Sequence, residues 1–275
     1  MELVKEWTEY SSQGEGVSAY RARPAASDEP LPAVVVIQEI WGPDAHICDV
    51  CERFAAAGYL ALAPDLYSRG GRPESVSPER IEAAKSFLDT IPRSAWMDPS
   101  QRNQALERLG EPQASQIGET FGELFPSERP IGRYTEDLRA AVEFLASDSQ
   151  FAGRVGSIGF CMGGGLSAQL ACAEPNLDAA VIFYGGSPDA NRVNAVQCPV
   201  MGFYGGEDTR ITDGVPAFAE AMDQAGKSFE PFIYPGAPHA FFNDTRASFR
   251  VAPARDSWAR TLSFFANNLQ GRLDA

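Results

Sequence analysis

The sequence predicts an α/β protein with a mostly parallel central sheet and helices on both faces. Two observations predict it. Short β-branched apolar runs alternate with amphipathic stretches of helical period along most of the chain. The 275 residues are also 44% apolar and 22% charged, an ordinary globular composition large enough for one sizeable core. Sheets of this kind bind their ligands in crevices outside the C-terminal strand ends, so the residues just past each strand carry the functional argument.

Residues 33–38, AVVVIQ, read as a strand buried on both faces, followed by the loop EIWGPD. Residues 45–57 read as a helix, and 59–67, YLALAPDLY, as a strand running into a loop. In the next segment, SRGGRPE, Arg69, Arg72 and Glu74 form a solvated turn. Residues 76–130 are less regular. They hold a helix near 79–90 and segments broken by Pro92, Pro99, Pro112 and Pro126. Trp96, Phe121 and Phe125 give this stretch something to pack with. The expectation is a single domain over residues 1–275, with a lid or insertion around 90–130.

Residues 135–147 form an amphipathic helix with Leu138, Val142 and Leu145 on one face and Thr135 as its cap. RVGSIGFC is a strand, 166–174 a helix of small residues, and AAVIFYGG a strand. QCPVMGFYGGEDTRI holds a strand and an acidic loop. VPAFAEAMDQAGK is a helix, FEPFIYPGAPHAFF a strand entering a histidine loop, and DSWARTLSFFANNL a terminal amphipathic helix.

The charge balance excludes some functions. A net charge of −14 without a basic run predicts no nucleic-acid partner. No run approaches the roughly 18 apolar residues of a membrane span, so no membrane partner is expected either. The N-terminus, MELVKEWTEY, lacks an apolar signal segment. Five irregularly spaced cysteines do not form a disulfide framework, and the expected setting is soluble, reducing and cytoplasmic. Oligomeric state is left open. Cys48 and Cys51 form C-x-x-C behind His46. On one helix face they pack, and a redox pair or half a metal site is the alternative. Asp49 and Glu52 beside them oppose a low thiol pKa, and no second ligand pair stands elsewhere. Neither a metal nor a cofactor is expected.

The chemistry centres on Cys161 in VGSIGFCMGGG. Glycines at 159 and 163 give G-x-C-x-G between a strand and a helix. Such spacing clears a sharp turn that pushes the central side chain out. The N–H groups of the following helix favour a thiolate and a developing oxyanion. A free cysteine is equally often a buried filler, so the motif alone decides nothing. A G-x-G-x-x-G nucleotide loop and a G-K-[ST] phosphate loop are both absent. The rest of the constellation favours a nucleophile. Asp208 in GGEDTR and His239 in PGAPHAFF each come just after a strand, and His46 is the only other histidine. Nucleophile, acid, histidine is the chain order of α/β-hydrolase folds. Glu207 is the local rival to Asp208 as the group that orients His239. Glu39 directly succeeds the first buried strand. It either shares the Cys161 proton or binds an arginine or backbone N–H groups.

Four motifs, QEIWG at 38–42, GFCMGG at 159–164, GGED at 205–208 and PHAF at 238–241, resemble those of the dienelactone hydrolases, or carboxymethylenebutenolidases. They occur in the family's order within a resemblance that spans residues 30–265. The resemblance implies an α/β-hydrolase fold and cysteine-dependent hydrolysis of a small-molecule lactone or ester. It makes Cys161 the nucleophile, His239 the base, Asp208 the orienting acid and Glu39 the group that gates the thiol. It assigns the oxyanion hole to the backbone N–H groups of Ile40 and Met162. It also implies arginines that bind a substrate carboxylate, one of them four positions after the histidine. Asn243 stands there instead, and Arg246 is out of register. Arg102 and Arg108 are candidates for the other. The departure supports hydrolysis better than it supports a dienelactone substrate. Trp41 and Phe241 are the favoured pocket walls, from a wider set that includes Tyr67, Trp96, Phe203, Tyr204 and Phe242. The alternatives are a thioesterase or general carboxylesterase of the same fold, or a non-enzymatic binding protein.

Overall fold

The structure is a computed structural model and describes residues 1–270 except Asp28, Arg93, Ser94 and Met97. Its elements run β1 (Leu3–Ser12), β2 (Glu15–Pro24), β3 (Leu31–Ile37), α1 (Ala45–Ala56) and β4 (Leu60–Pro64). Next come α2 (Pro78–Leu88), α3 (Pro99–Leu106), α4 (Gln113–Leu124) and α5 (Ile131–Ala146). The order continues β5 (Phe151–Phe160), α6 (Met162–Ala173), β6 (Ala179–Phe183) and β7 (Val200–Gly205). The chain ends with α7 (Thr209–Thr212), α8 (Val215–Gln224), β8 (Phe229–Tyr234) and α9 (Val251–Leu269). Residues 1–66 and 131–275 make one compact unit and residues 67–130 a second, which begins earlier than the 90–130 segment expected.

The first unit is built on an eight-stranded sheet of order β1-β2-β4-β3-β5-β6-β7-β8. The β1–β2 and β2–β4 pairs are antiparallel, and every pair from β4 to β8 is parallel. This is the α/β-hydrolase arrangement. Val34, Val35, Val36 and Ile37 of β3 are all fully buried, which is why this strand is a continuous apolar run. Alternation sends Val34 and Val36 into a core with Ile158, Phe160, Val181 and Phe183. Helices α1 and α9 complete that core through Phe54 and Phe265, whose ring centroids are 5.7 Å apart. Helices α5 and α6 pack against β3, β5 and neighbouring strands, with Leu138, Val142, Leu145, Leu166 and Leu170 buried.

Three differences from the sequence expectation have local causes. The β1–β2 hairpin is absent from that expectation. Its turn is Gln13–Gly14, both with positive φ, which matches the right-handed strand twist as a two-residue turn should. Thr135 does not cap its helix. The helix starts a turn earlier, directly after Pro130, and the Thr135 hydroxyl donates back to the Ile131 carbonyl at 2.8 Å. Helix α6 begins at Met162 rather than 166, because the chain turns into helix immediately after Cys161.

The second unit holds α2, α3 and α4. Phe87 and Phe121 contact each other, as do Phe121 and Phe125. The Arg102 guanidinium lies over the Phe121 and Phe125 rings and donates to the Trp96 carbonyl.

Candidate active site

The site forms where the parallel strands of the first unit end. Glu39 comes after β3, Cys161 after β5, and Asp208 and His239 lie in the loops after β7 and β8. Cys161 adopts φ 55° and ψ −114°, a conformation that side chains rarely accept. Sequence makes this turn achievable through its glycines. A Cβ on Gly159 would fall 1.8 Å from the Gly163 carbonyl oxygen. One on Gly163 would fall 2.4 Å from the carbonyl oxygens of both Ile37 and Gln38. The first turn of α6 therefore presses against the end of β3, which carries the backbone of Met162 towards the segment that contains Ile40. Among the described residues, four non-glycines have positive φ, and three of them, Cys161, Tyr184 and Ala240, stand at this site. Each such residue costs about 1–3 kcal/mol and persists where surrounding packing enforces it.

His239 Nδ1 lies 2.5 Å from the Asp208 carboxylate, and the imidazole also hydrogen-bonds Cys161. Glu207, the rival, instead donates its backbone N–H to the Ala237 carbonyl. Burial alone would lower the His239 pKa. The charge of Cys161 and its hydrogen bond, together with Asp208, outweigh that and raise it from 6.5 to about 10. The arrangement favours the imidazolium form of His239.

Glu39 is buried, and both its donors are neutral. Asn243 Nδ2 donates to Oε2 at 2.9 Å and the Tyr184 hydroxyl donates to Oε1 at 3.4 Å. Sequence reasoning misses Tyr184, although it stands at the end of β6, between the strands that carry Cys161 and Asp208. Its ring meets His239 edge-on at 5.1 Å. Burial first, then the charges of Glu39 and Cys161, hold its phenol pKa well above the ordinary value. Tyr184 thus links the loop of Glu39 to the loop of His239.

The remaining candidates separate. Trp41 is nearly buried, with the Arg246 guanidinium 5.7 Å over its indole. Phe241 lies in the core beneath the site, against Phe183, Tyr184 and Tyr234, rather than on a wall. Phe203, Tyr204 and Phe242 are likewise buried. Arg102 and Arg108 belong to the second unit, as do Tyr67 and Trp96. Arg102 is engaged there by aromatic rings, and Arg108 is exposed. Cys51 is fully buried and Cys48 half-buried. Burial, then Asp44 and Glu52, push the Cys48 pKa up to about 12, the reverse of a redox thiol. Among the described residues, no group of three or more His, Cys, Asp and Glu could hold a metal ion, and no helix is long and apolar enough to cross a membrane.

Sheet order and a strained residue between β5 and α6 define an α/β-hydrolase. Comparison with known proteins narrows this. The model of the dienelactone hydrolase family matches residues 17–269. A Saccharolobus solfataricus protein named "Putative carboxymethylenebutenolidase" is 36% identical over 256 residues, 93% of this chain and 95% of that protein. An Escherichia coli protein of the same name is 32% identical over 274 residues, covering 96% and 87%. A crystal structure described as "Putative Dienelactone Hydrolase", from Klebsiella pneumoniae, aligns with a TM-score of 0.75 at 33% identity, over 97% of this chain and 100% of that one. The chain belongs to the dienelactone hydrolase family, and it is a hydrolase.

Proposed function

We propose that the protein hydrolyses small-molecule lactones or esters through a thioester on Cys161. One observation carries this reading: His239 bridges Asp208 and a cysteine held at a strained strand-to-helix turn. Asp208 fixes the tautomer and orientation of His239. His239 holds the Cys161 proton, and the thiolate attacks the carbonyl carbon. A C–S bond forms, and the carbonyl π electrons move onto oxygen. That oxyanion sits against the backbone N–H groups of Ile40 and Met162, a stabilisation worth several kcal/mol in comparable sites (about 3–4). Collapse expels the alcohol or enolate, which takes the proton from His239. In a lactone the leaving oxygen stays tethered to the acyl group. His239 then activates a water that cleaves the thioester and returns the thiol.

An enolate leaves more easily than an alkoxide, so enol lactones and aryl esters are the preferred class over alkyl esters. Asn243, where the family resemblance implies an arginine, gives its amide to Glu39. The reading therefore extends to uncharged esters and lactones.

The test is Cys161→Ala, assayed with an aryl ester and an enol lactone. Turnover is expected to fall by about 10⁶-fold, as for removal of other enzyme nucleophiles, with the fold unchanged by circular dichroism. A wild-type acyl adduct at Cys161, seen by mass spectrometry after rapid acid quench, would support the thioester. Undiminished turnover in the variant would refute the reading. An enzyme inert towards esters, thioesters and lactones would favour a binding protein.

A further inference from the structure

The amide of Asn243 has its orientation set from behind. Its Oδ1 accepts two hydrogen bonds from Thr245, from the backbone N–H at 3.0 Å and from the hydroxyl at 2.6 Å. An amide oxygen only accepts, so the Thr245 hydroxyl must donate, and Nδ2 is left to face Glu39 at 2.9 Å. A flipped amide would set its oxygen against the carboxylate and its NH₂ against an N–H. Both Asn243 and Glu39 are almost fully buried, at 1% and 3% exposure.

The segment is anchored on its other side too. Asp244 pairs with Arg53 of α1 at 2.7 Å and lies 3.5 Å from the ring of His46. Among the described residues, the second oxygen of Glu39 has only the longer Tyr184 hydrogen bond, at 3.4 Å. Asn243 is therefore the stronger of two neutral donors to this buried carboxyl. A buried carboxyl left without its donor both loses its placement and meets a penalty in its charged form. The charged or titratable groups around the pair are Cys161 and His239 in the same site, Asp44 at the start of α1, which acts on Tyr184, and Arg246 over Trp41.

We propose that Asn243, oriented by Thr245, is a positioning residue that fixes the Glu39 carboxyl in the candidate active site. It does so with an uncharged donor. The proposal rests on the hydrolase reading above and on the role that the family resemblance gives Glu39, that of gating the Cys161 thiol. It predicts that Asn243 acts on catalysis only through Glu39, and that Thr245 acts only through Asn243.

The experiment is a double-mutant cycle read with p-nitrophenyl acetate. Asn243→Ala should lower kcat by about 10- to 100-fold, the equivalent of one hydrogen bond to a charged group, with KM changed less than about twofold. In the Glu39→Gln background the same substitution should change kcat by less than about twofold. Thr245→Val should reproduce part of the loss, and Thr245→Ser, which keeps the hydroxyl, should restore it. An equal fall in both backgrounds, a loss confined to KM, or a Thr245→Ser variant no better than Thr245→Val would each overturn the proposal. Should Asn243→Ala fail to fold, the two Thr245 variants, taken through the same Glu39→Gln background, decide the matter. Cys161→Ala runs alongside. Turnover retained there refutes the hydrolase reading, whereas turnover lost there with a null cycle refutes only the role of Asn243.

Discussion

Asp208 touches His239, and in the proposed mechanism its contribution is to aim the imidazole. Asp208→Asn would keep the volume and reverse the hydrogen-bond polarity at Oδ2. By analogy with serine-based triads kcat should fall about 10⁴-fold, with KM little changed, in the aryl ester assay. A loss below tenfold would mean that another group orients His239. Chain order and strand-end placement are enough to bring Cys161, His239 and the acidic pair 207–208 to one sheet edge, because a parallel sheet brings its C-terminal loops together whatever their separation along the chain. Choosing Asp208 over Glu207 takes the fold. Adjacent acids look alike in sequence, yet Asp208 sits 2.5 Å from the imidazole while Glu207 is exposed. Tyr184 is not legible for a similar reason. A tyrosine that ends a buried strand reads as core, and its hydroxyl contact lies 145 residues away along the chain.

The turn between β5 and α6 carries the proposed nucleophile, Cys161. Gly163→Ala would place a methyl group 2.4 Å from two carbonyl oxygens, so β3 and α6 would have to part. Overpacking of this kind costs about 1–3 kcal/mol, and both the melting temperature and kcat should fall. Gly132, near the start of α5, has nothing within 4 Å of an added Cβ. Gly132→Ala should instead stabilise by about 0.5–1 kcal/mol and leave kcat alone. Denaturant titration of both variants checks the contrast, and equal behaviour would show that close approach is not what the Gly163 position requires. The glycine spacing of the sequence announces this turn. Nothing announces the β1–β2 hairpin, since β1 is polar and largely exposed, and its turn residues carry no Asn-Gly or Asp-Gly signal.

At the scale of the whole molecule, the His239 interactions link stability to pH. Its pKa is raised from 6.5 in the unfolded chain to about 10 in the folded one, so the folded state binds the proton more tightly. The associated stability is fully present below about 6.5 and is lost as pH rises through about 10. Urea unfolding of the wild type and of His239→Gln, carried from neutral pH well into the alkaline range, should show a stability gap that narrows as the pH climbs. Parallel curves would argue against an imidazolium in the resting enzyme. The comparison is needed because a chain of net charge −14 also gains self-repulsion at high pH, in both proteins alike.

The sequence alone determined the α/β class, most of the strands and helices of the first unit, and a cysteine, acid and histidine in the order of hydrolase folds. These are written in local period, in turn chemistry and in the residues just past each strand. Tertiary structure decided the features that local pattern cannot hold. It selected which acid meets His239, and moved Phe241 from the pocket to the core. It placed Arg102 among aromatic rings of the second unit, and turned the unexpected Asn243 towards Glu39. Each of these depends on where a side chain ends relative to residues far away in sequence. That distance is set by the packing of strands and helices, and no run of neighbouring residues encodes it.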